Sequence, residues 1–435
     1  MEICIIGAGH VGLVTGACFA DLGNRVICVD NDQKKVESLR KGKVPFYEPG
    51  LQSLVVHNLK QNRLSFKTSI AEGVRHSKII FIAVGTPPLE SGEADLTAVE
   101  HVCQEIAGTM TGYRLIVEKS TVPVETGKWV ERTLQAFVKK KVPFDVASNP
   151  EFLREGTAVN DFLHPDRIVI GVESARAKSL LEELYKPFHT PIVVTDIASA
   201  ELIKHASNAF LSTKISFINA VANICERVGA DVEKVALGIG MDPRIGRQFL
   251  NAGAGFGGFC FPKDLDAFIR IADKLGYDFQ LLKAVKQINE EQKQSVIKKV
   301  ERQLWNLKGK KIGVLGLAFK PDTDDLRFAP ALDVVEALSR GGARVSAFDP
   351  QAMPEAKTVL NSHVTFARNP YDLAKGADCL VIMTEWNEFK ELDLSKIKKL
   401  MRQPVVVDGR NIYDPESMKK LGFRYSAVGR GRVHQ

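Results

Sequence analysis

At 435 residues the chain is longer than one ordinary hydrophobic core can hold, and two or three domains are expected. Hydrophobic residues at 45% and charged residues at 26% are globular averages. The net charge of +7 is spread along the chain, with short clusters at 139–141, 308–311 and 396–399. No basic helix repeat or RNA-binding signature accompanies it, so it fits a solvated surface or an anionic small substrate better than nucleic acid.

In chain order, residues 2–6 (EICII) read as a strand, 11–22 as a helix stopped by Gly23, and 25–30 (RVICVD) as a second strand. The runs 79–85, 115–120, 145–149 and 167–171 continue the strand series. Apolar strands alternating with helices predict a parallel, doubly wound sheet. From 198 to 228 no glycine or proline interrupts a helical pattern, with Asp196 as N-cap and Gly229 as the stop. That helix would span about 45 Å and is apolar on more than one side, as expected of a spine between domains or subunits. Helices follow at about 231–240, 264–275 and 279–304. Strand–helix alternation then resumes with 310–316, a helix at 330–340 and a strand at 343–350. GNRVICVDN (23–31) and GARVSAFDP (342–350) echo one another, so the fold class is α/β with two Rossmann-like sheets joined by a long central helix and helical connector. The expected domains are 1–195, a first α/β domain, 196–305, a helical dimerisation segment, and 306–435, a second α/β domain.

Seven cysteines without a CxxC pair argue for a reducing compartment, and the nine histidines show no zinc-like spacing, so no metal is expected. The chain opens on a strand, with no signal peptide expected, and no stretch of about 18 apolar residues would span a membrane. A cytoplasmic enzyme is the expectation.

GAGHVG (7–12) follows a strand and opens a helix, the context in which a G-x-G-x-x-G pattern binds a dinucleotide. Gly7 would make the turn, Gly9 would admit the pyrophosphate and Gly12 would allow close helix packing. The helix N-terminus offers N–H donors. Asp30, ending the second strand, would bind the adenosine ribose and repel a 2′-phosphate, so NAD is favoured over NADP. Gly85-Thr86-Pro87 and Lys119-Ser120-Thr121 close further strands at the end of the sheet where ligands bind. In AGFGGFCFPKD (254–264) Cys260 has no apolar period around it, unlike the other six cysteines, which read as small buried hydrophobes. On its own it reads either as a buried thiol in a tight loop or as a thiolate favoured by Lys263.

GAGHVG, KSTVPVETG, NPEFLREG (149–156), ELIKHASNAFL (201–211), GFGGFCFPKD (255–264) and GLAFKPDTDDLR (316–327) stand in order along nearly the whole chain. Together they resemble the UDP-glucose/GDP-mannose dehydrogenase family. The resemblance implies oxidation of a nucleotide-sugar primary alcohol to a carboxylate with two NAD, through an aldehyde held on Cys260 as a thiohemiacetal and then a thioester. It implies Lys204 as oxyanion stabiliser, Asn208 beside it, Asp264 holding the catalytic water, Glu151 assisting hydrolysis and Thr121 orienting water or nicotinamide. Asp264 reads equally as the N-cap of a helix starting near Leu265. The implied NAD contacts are Val11, Asp30, Lys35, Thr86, Thr121, Glu155, Lys263 and Arg327, with the fingerprint glycines, though Arg327 reads equally as one half of a surface ion pair. The implied substrate contacts are Glu151, Phe152, Leu153, Arg154 and Glu155, with Lys204, Asn208, Phe249, Leu250, Asn251, Ala252, Gly253, Gly257 and Lys320. Arg410 and, from a neighbouring subunit, Arg244 join them, so a homodimer or higher homo-oligomer is implied. NPEFLREG and TDDLR favour UDP-glucose over GDP-mannose or a UDP-N-acetylhexosamine. A non-catalytic regulator that binds NAD or a nucleotide sugar is the alternative of another class. His10 and Phe259 depart from the family pattern, Phe259 standing where a small residue is common.

Overall fold

The computed structural model describes residues 1–89, 91–139, 142–360 and 363–431. Lys140 and Lys141 of the first basic cluster and residues 432–435 of the C-terminal segment lie outside the described residues. The chain divides into two compact units, one of residues 1–207 with 266–276 and one of residues 208–265 with 277–435.

The first unit is built on eight strands: β1 (Glu2–Ile6), β2 (Arg25–Val29), β3 (Leu64–Lys67), β4 (Ile79–Ile82), β5 (Arg114–Glu118), β6 (Phe144–Ser148), β7 (Ile168–Val172) and β8 (Ile192–Thr195). Their order is β3-β2-β1-β4-β5-β6-β7-β8. Ile3 to Ile6 and Ile79 to Ile82 are all buried, as two-sided helix cover requires of central parallel strands. One feature departs from the sequence reading. RIVIG was expected to extend the parallel series, but β7 runs antiparallel to β6, and β8 runs parallel to β7. A parallel return needs a crossover that spans the strand, usually a helix. Between β6 and β7 the helix is Ala158–Leu163, six residues. That is about 9 Å of helix against about 17 Å of strand, too short to bring the chain back.

The second unit carries β9 (Lys311–Leu315), β10 (Arg344–Phe348), β11 (Thr365–Phe366), β12 (Cys379–Ile382), β13 (Val405–Asp408) and β14 (Arg424–Ala427). The order is β11-β10-β9-β12-β13-β14, all parallel. This repeats the order of the first six strands of the first sheet, so the echo between the two ends of the sequence is architectural. The two aspartates that end the echoed strands differ in setting. Asp349, 1% exposed, takes Leu317 N, Ala318 N and Trp386 Nε1 on Oδ2, and Gln351 N and Ala352 N on Oδ1.

The long helix runs Ile197–Val228, 32 residues, about 48 Å at 1.5 Å per residue. Asp196 Oδ1 caps it by accepting Ser199 N at 2.8 Å. Gly229 ends it with φ +79°, its N–H bonded to Cys225 O at 2.9 Å. Among the described residues no helix is long and apolar enough to cross a membrane.

Candidate active site

Gly7 follows β1 with φ +102°, a conformation that glycine adopts without strain. A Cβ on Gly12 would lie 1.9 Å from Gly7 O, so the helix His10–Asp21 can approach the strand only because residue 12 is glycine. A Cβ on Gly9 would meet nothing within 4 Å, so the loop faces open space there. No side chain caps the helix at Gly9. Asp30 Oδ2 accepts Ala8 N at 2.9 Å and Lys35 Nζ at 3.0 Å, and Oδ1 accepts Asp32 N at 3.0 Å. A carboxylate has about four acceptor sites, so Asp30 keeps capacity for a ribose hydroxyl. An uncapped helix start, an open glycine and a partly used carboxylate fit a dinucleotide. Val11 lies half-buried in the same turn. Thr86 Oγ1 donates to Thr121 O at 2.9 Å, joining the ends of the β4 and β5 segments. His10 stacks on Phe46 with ring centroids 3.7 Å apart.

The same unit holds a buried ionic cluster. Lys204 Nζ lies 3.0 Å from Glu151 Oε1, both side chains 5% exposed. Glu151 Oε2 accepts Leu153 N at 2.6 Å. Lys119, also buried, donates to Asn149 Oδ1 at 2.9 Å, and the Tyr185 hydroxyl donates to the same oxygen. Asn149 Nδ2 reaches Val169 O at 2.8 Å, which fixes the amide immediately before Pro150-Glu151. Burial lowers the Lys119 ammonium to about 8, with Glu151 opposing the shift and the Lys204 charge adding to it. The Phe152 ring carries Arg167 Cζ at 3.7 Å and Lys204 Nζ at 5.4 Å. Glu48 accepts Gly156 N and Ala158 N at 2.7 and 2.9 Å, anchoring the far end of the loop that contains half-buried Glu155. Arg154 is exposed, its Nη2 and Nε on Asp161 at 2.6 and 3.0 Å. Glu118 and Glu201 are two further buried carboxylates. Burial raises Glu118 to about 8, with the Glu201 charge adding, and raises Glu201 to about 7.

A further helix begins at Cys260 and runs to Lys274. This corrects the reading of Asp264 as an N-cap: it is the fifth helical residue, one turn after Cys260 on the same face. Pro262 in the first turn is compatible with that start, because first-turn N–H groups have no partner inside the helix. The tight-loop reading of Cys260 is corrected with it. Cys260 is half-buried, whereas the other six cysteines are buried, and burial pushes Cys28 and Cys379 up to about 12. A thiol at a helix N-terminus is favoured as thiolate, and a buried apolar one is inert. Asp264, 1% exposed, takes Asn208 Nδ2 on Oδ2 at 2.6 Å and pairs with Lys263 Nζ through Oδ1 at 2.8 Å. Lys204 sits one turn before Asn208 on the long helix, on the same face.

The segment 249–257 is held by its backbone. Phe249 has φ +62°, a strained conformation for a bulky side chain, and Leu250 and Ala252 are buried while Asn251 is exposed. Gly253 N donates to Asn219 Oδ1 at 2.9 Å. Arg410 gives Nε to Met383 O at 2.7 Å, Nη1 to Gly255 O at 3.1 Å and Nη2 to Phe319 O at 3.2 Å. It staples this segment to the ends of the second sheet. Gly257 packs so closely that a Cβ would lie 2.3 Å from Phe328 O. Lys320 Nζ lies 5.6 Å from the Phe319 ring centroid. Arg244 stands apart, its side chain 87% exposed and forked onto Asp242.

Three domain profiles match the chain in order: the NAD-binding domain of the UDP-glucose/GDP-mannose dehydrogenase family over residues 1–189, its central domain over 198–291 and its UDP-binding domain over 313–415. The chain belongs to the UDP-glucose/GDP-mannose dehydrogenase family. Within this family it is 51% identical over 432 residues to UDP-glucose 6-dehydrogenase TuaD of Bacillus subtilis (strain 168), covering 99% of this chain and 94% of that one. It is 47% identical to UDP-glucose 6-dehydrogenase of Rhizobium meliloti (strain 1021), covering 99% and 100%. The structure of a UDP-glucose dehydrogenase from Pyrobaculum islandicum matches with a TM-score of 0.93 at 42% identity, covering 98% and 97%. The UDP-glucose/GDP-mannose dehydrogenase domains place the glycine fingerprint in the NAD-binding part, consistent with the open loop at Gly9.

Sequence reasoning left Lys119, Asn149, Tyr185 and Glu48 without roles. Lys119 and Asn149 lie inside the quoted motifs KSTVPVETG and NPEFLREG, which was the available signal. Tyr185 and Glu48 carry none, because only the fold brings them to that loop.

Proposed function

We propose that the chain oxidises UDP-glucose to UDP-glucuronate with NAD, through a thioester on Cys260. The observation that carries this reading is the helix that Cys260 opens, with Asp264 one turn on and bonded to Asn208 at 2.6 Å. The glycine loop, Asp30 and Lys35, with Thr86, Thr121, Glu155, Lys263 and Arg327, would hold NAD. When bound, NAD accepts a hydride in each of two oxidations. In the first, the primary hydroxyl of the sugar loses its proton to a water held by Asn208 and Asp264, while the Lys204 ammonium stabilises the developing oxyanion. Loss of a hydride from the same carbon leaves an aldehyde. The Cys260 thiolate adds to it, and the new oxyanion takes a proton to give a thiohemiacetal. Loss of that proton and a second hydride gives the thioester. Glu151 assists water in attacking the acyl carbon, the C–S bond breaks, and the carboxylate leaves with the thiol restored. The segment 249–257, Phe152, Leu153, Arg154, Lys320 and Arg410 would hold the nucleotide sugar, Arg410 by fixing the segment at Gly255.

The test mixes the purified protein with NAD and, separately, UDP-glucose, GDP-mannose and a UDP-N-acetylhexosamine, and follows NADH absorbance. Two NADH per UDP-glucose are expected, and one of the other sugars turning over instead would replace the substrate and keep the chemistry. A thermal shift with no NADH from any sugar would leave the regulator reading.

We read the protein as a homodimer in the cytoplasm, where seven free thiols are stable. On the long helix Phe210, Phe217 and Ile224 recur every seven residues and are each more than half exposed, as are Leu237 and Met241 in the following turns. Apolar residues at this spacing form a stripe that a second copy would cover. Phe217→Asp should therefore weaken the dimer on the order of a hundredfold, from about 1.5 kcal/mol per copy. Light scattering after size exclusion at micromolar concentration should show monomer. A variant that stays dimeric would remove this face from the interface.

A further inference from the structure

Phe259 immediately precedes the cysteine and is half-buried. Arg327 Cζ lies 4.3 Å from its ring centroid and Lys263 Nζ lies 5.4 Å away. Both distances are within the ~6 Å over which a ring face attracts a cation. Each cation also has a carboxylate. Arg327 forks onto Asp325 through Nε at 2.9 Å and Nη2 at 2.7 Å, and Lys263 pairs with Asp264 at 2.8 Å. The two segments are joined by their backbones, Gly258 N donating to Arg327 O at 3.0 Å. Asp325 is 5% exposed and its Oδ1 also accepts Arg327 N at 2.9 Å, so the carboxylate under Arg327 is itself held by the backbone. The Arg327 side chain remains 45% exposed. A half-exposed arginine ordinarily samples many rotamers. Here one edge is set by Asp325 and the guanidinium lies by the Phe259 ring.

We propose that Phe259 is a positioning residue for NAD, its ring ordering Arg327 and Lys263 before the cofactor arrives. The proposal rests on the reading of Arg327 and Lys263 as NAD contacts. Ordering one long side chain on binding costs about two- to twelvefold in affinity, and a preformed pair avoids that cost.

The test measures NAD affinity by calorimetry and the separate KM values for NAD and UDP-glucose in Phe259→Leu, Phe259→Tyr and Arg327→Ala. Phe259→Leu keeps an apolar side chain but has no ring face. It should weaken NAD about two- to twelvefold and raise its KM to match, with the KM for UDP-glucose unchanged. Phe259→Tyr keeps the face and should bind NAD as the parent does. If Phe259→Leu binds NAD normally, or Phe259→Tyr is as weak as Phe259→Leu, the ring does not position the cations and the proposal falls. If Arg327→Ala weakens NAD while Phe259→Leu does not, the cofactor reading stands and only the proposal is lost. If Arg327→Ala binds NAD normally, the cofactor assignment of Arg327 fails and takes the proposal with it. Should Phe259→Leu not fold, Phe259→Met makes the same decision.

Discussion

Cys260→Ser is expected to lower steady-state turnover of UDP-glucose by at least about 10³-fold, because a serine hydroxyl is a far weaker nucleophile than a thiolate. The substitution changes one atom at the first residue of a helix, so folding and NAD affinity should be retained. NADH counted against enzyme subunits then distinguishes the steps. A stall at no more than about two NADH per subunit means that the second half of the reaction has lost its group. Any adduct that forms is an oxygen ester, which hydrolyses more slowly than a thioester, so intact mass of the denatured protein should show the bound sugar acid. Undiminished turnover would make Cys260 a structural thiol and remove the thioester from the mechanism.

The second large effect is expected at Lys204. With Lys204 as the proposed oxyanion stabiliser, Lys204→Ala should cost on the order of 10²–10³ in turnover. It also leaves the Glu151 carboxylate, 5% exposed, without its ion-pair partner. Breaking a buried pair from one side costs about 3–5 kcal/mol, and the nearby Lys119 charge should hold the loss at the low end. Lys204→Ala combined with Glu151→Gln separates the two consequences. The melting temperature should recover in the double variant, since no buried charge is left unpaired, while turnover should not. Because Glu151 itself assists the hydrolysis, turnover of the double variant is compared with that of Glu151→Gln alone, and equal turnover of the two would mean that Lys204 serves the fold alone.

What was legible in the sequence was local. The strand at 2–6, the helix at 330–340 and both ends of the long helix follow from apolar periodicity, Asp196 and Gly229, and the structure places them within a residue of those signals. β11, two residues long, and the half-exposed β8 lack a run long enough to register. The direction of β7 is set by the length of its connection, which an apolar strand pattern does not encode. Among the site residues, Lys204 and Asn208 were readable as one face of a helix. The equivalent spacing of Cys260 and Asp264 was missed because the helix was expected to begin at about 264, whereas it begins at Cys260 with Pro262 accepted in its first turn. The commitments of Arg410 to three carbonyls, and of Glu48 and Tyr185 to the 149–158 loop, join residues far apart in the chain. No local pattern records them.

The five donors around Asp349 decide what the second half of this duplicated architecture can become. Two oxygens offer about four lone-pair sites, so the carboxylate is saturated, whereas Asp30 still has room. A ribose could bond to Asp349 only by displacing a backbone amide or Trp386 from a buried position, leaving that group unsatisfied. The C-terminal sheet therefore keeps the strand order of the first, while the carboxylate that follows its second strand is closed off from within. Redesigning it to take a second NAD would have to start by removing Trp386, and a new glycine turn alone would not reopen it.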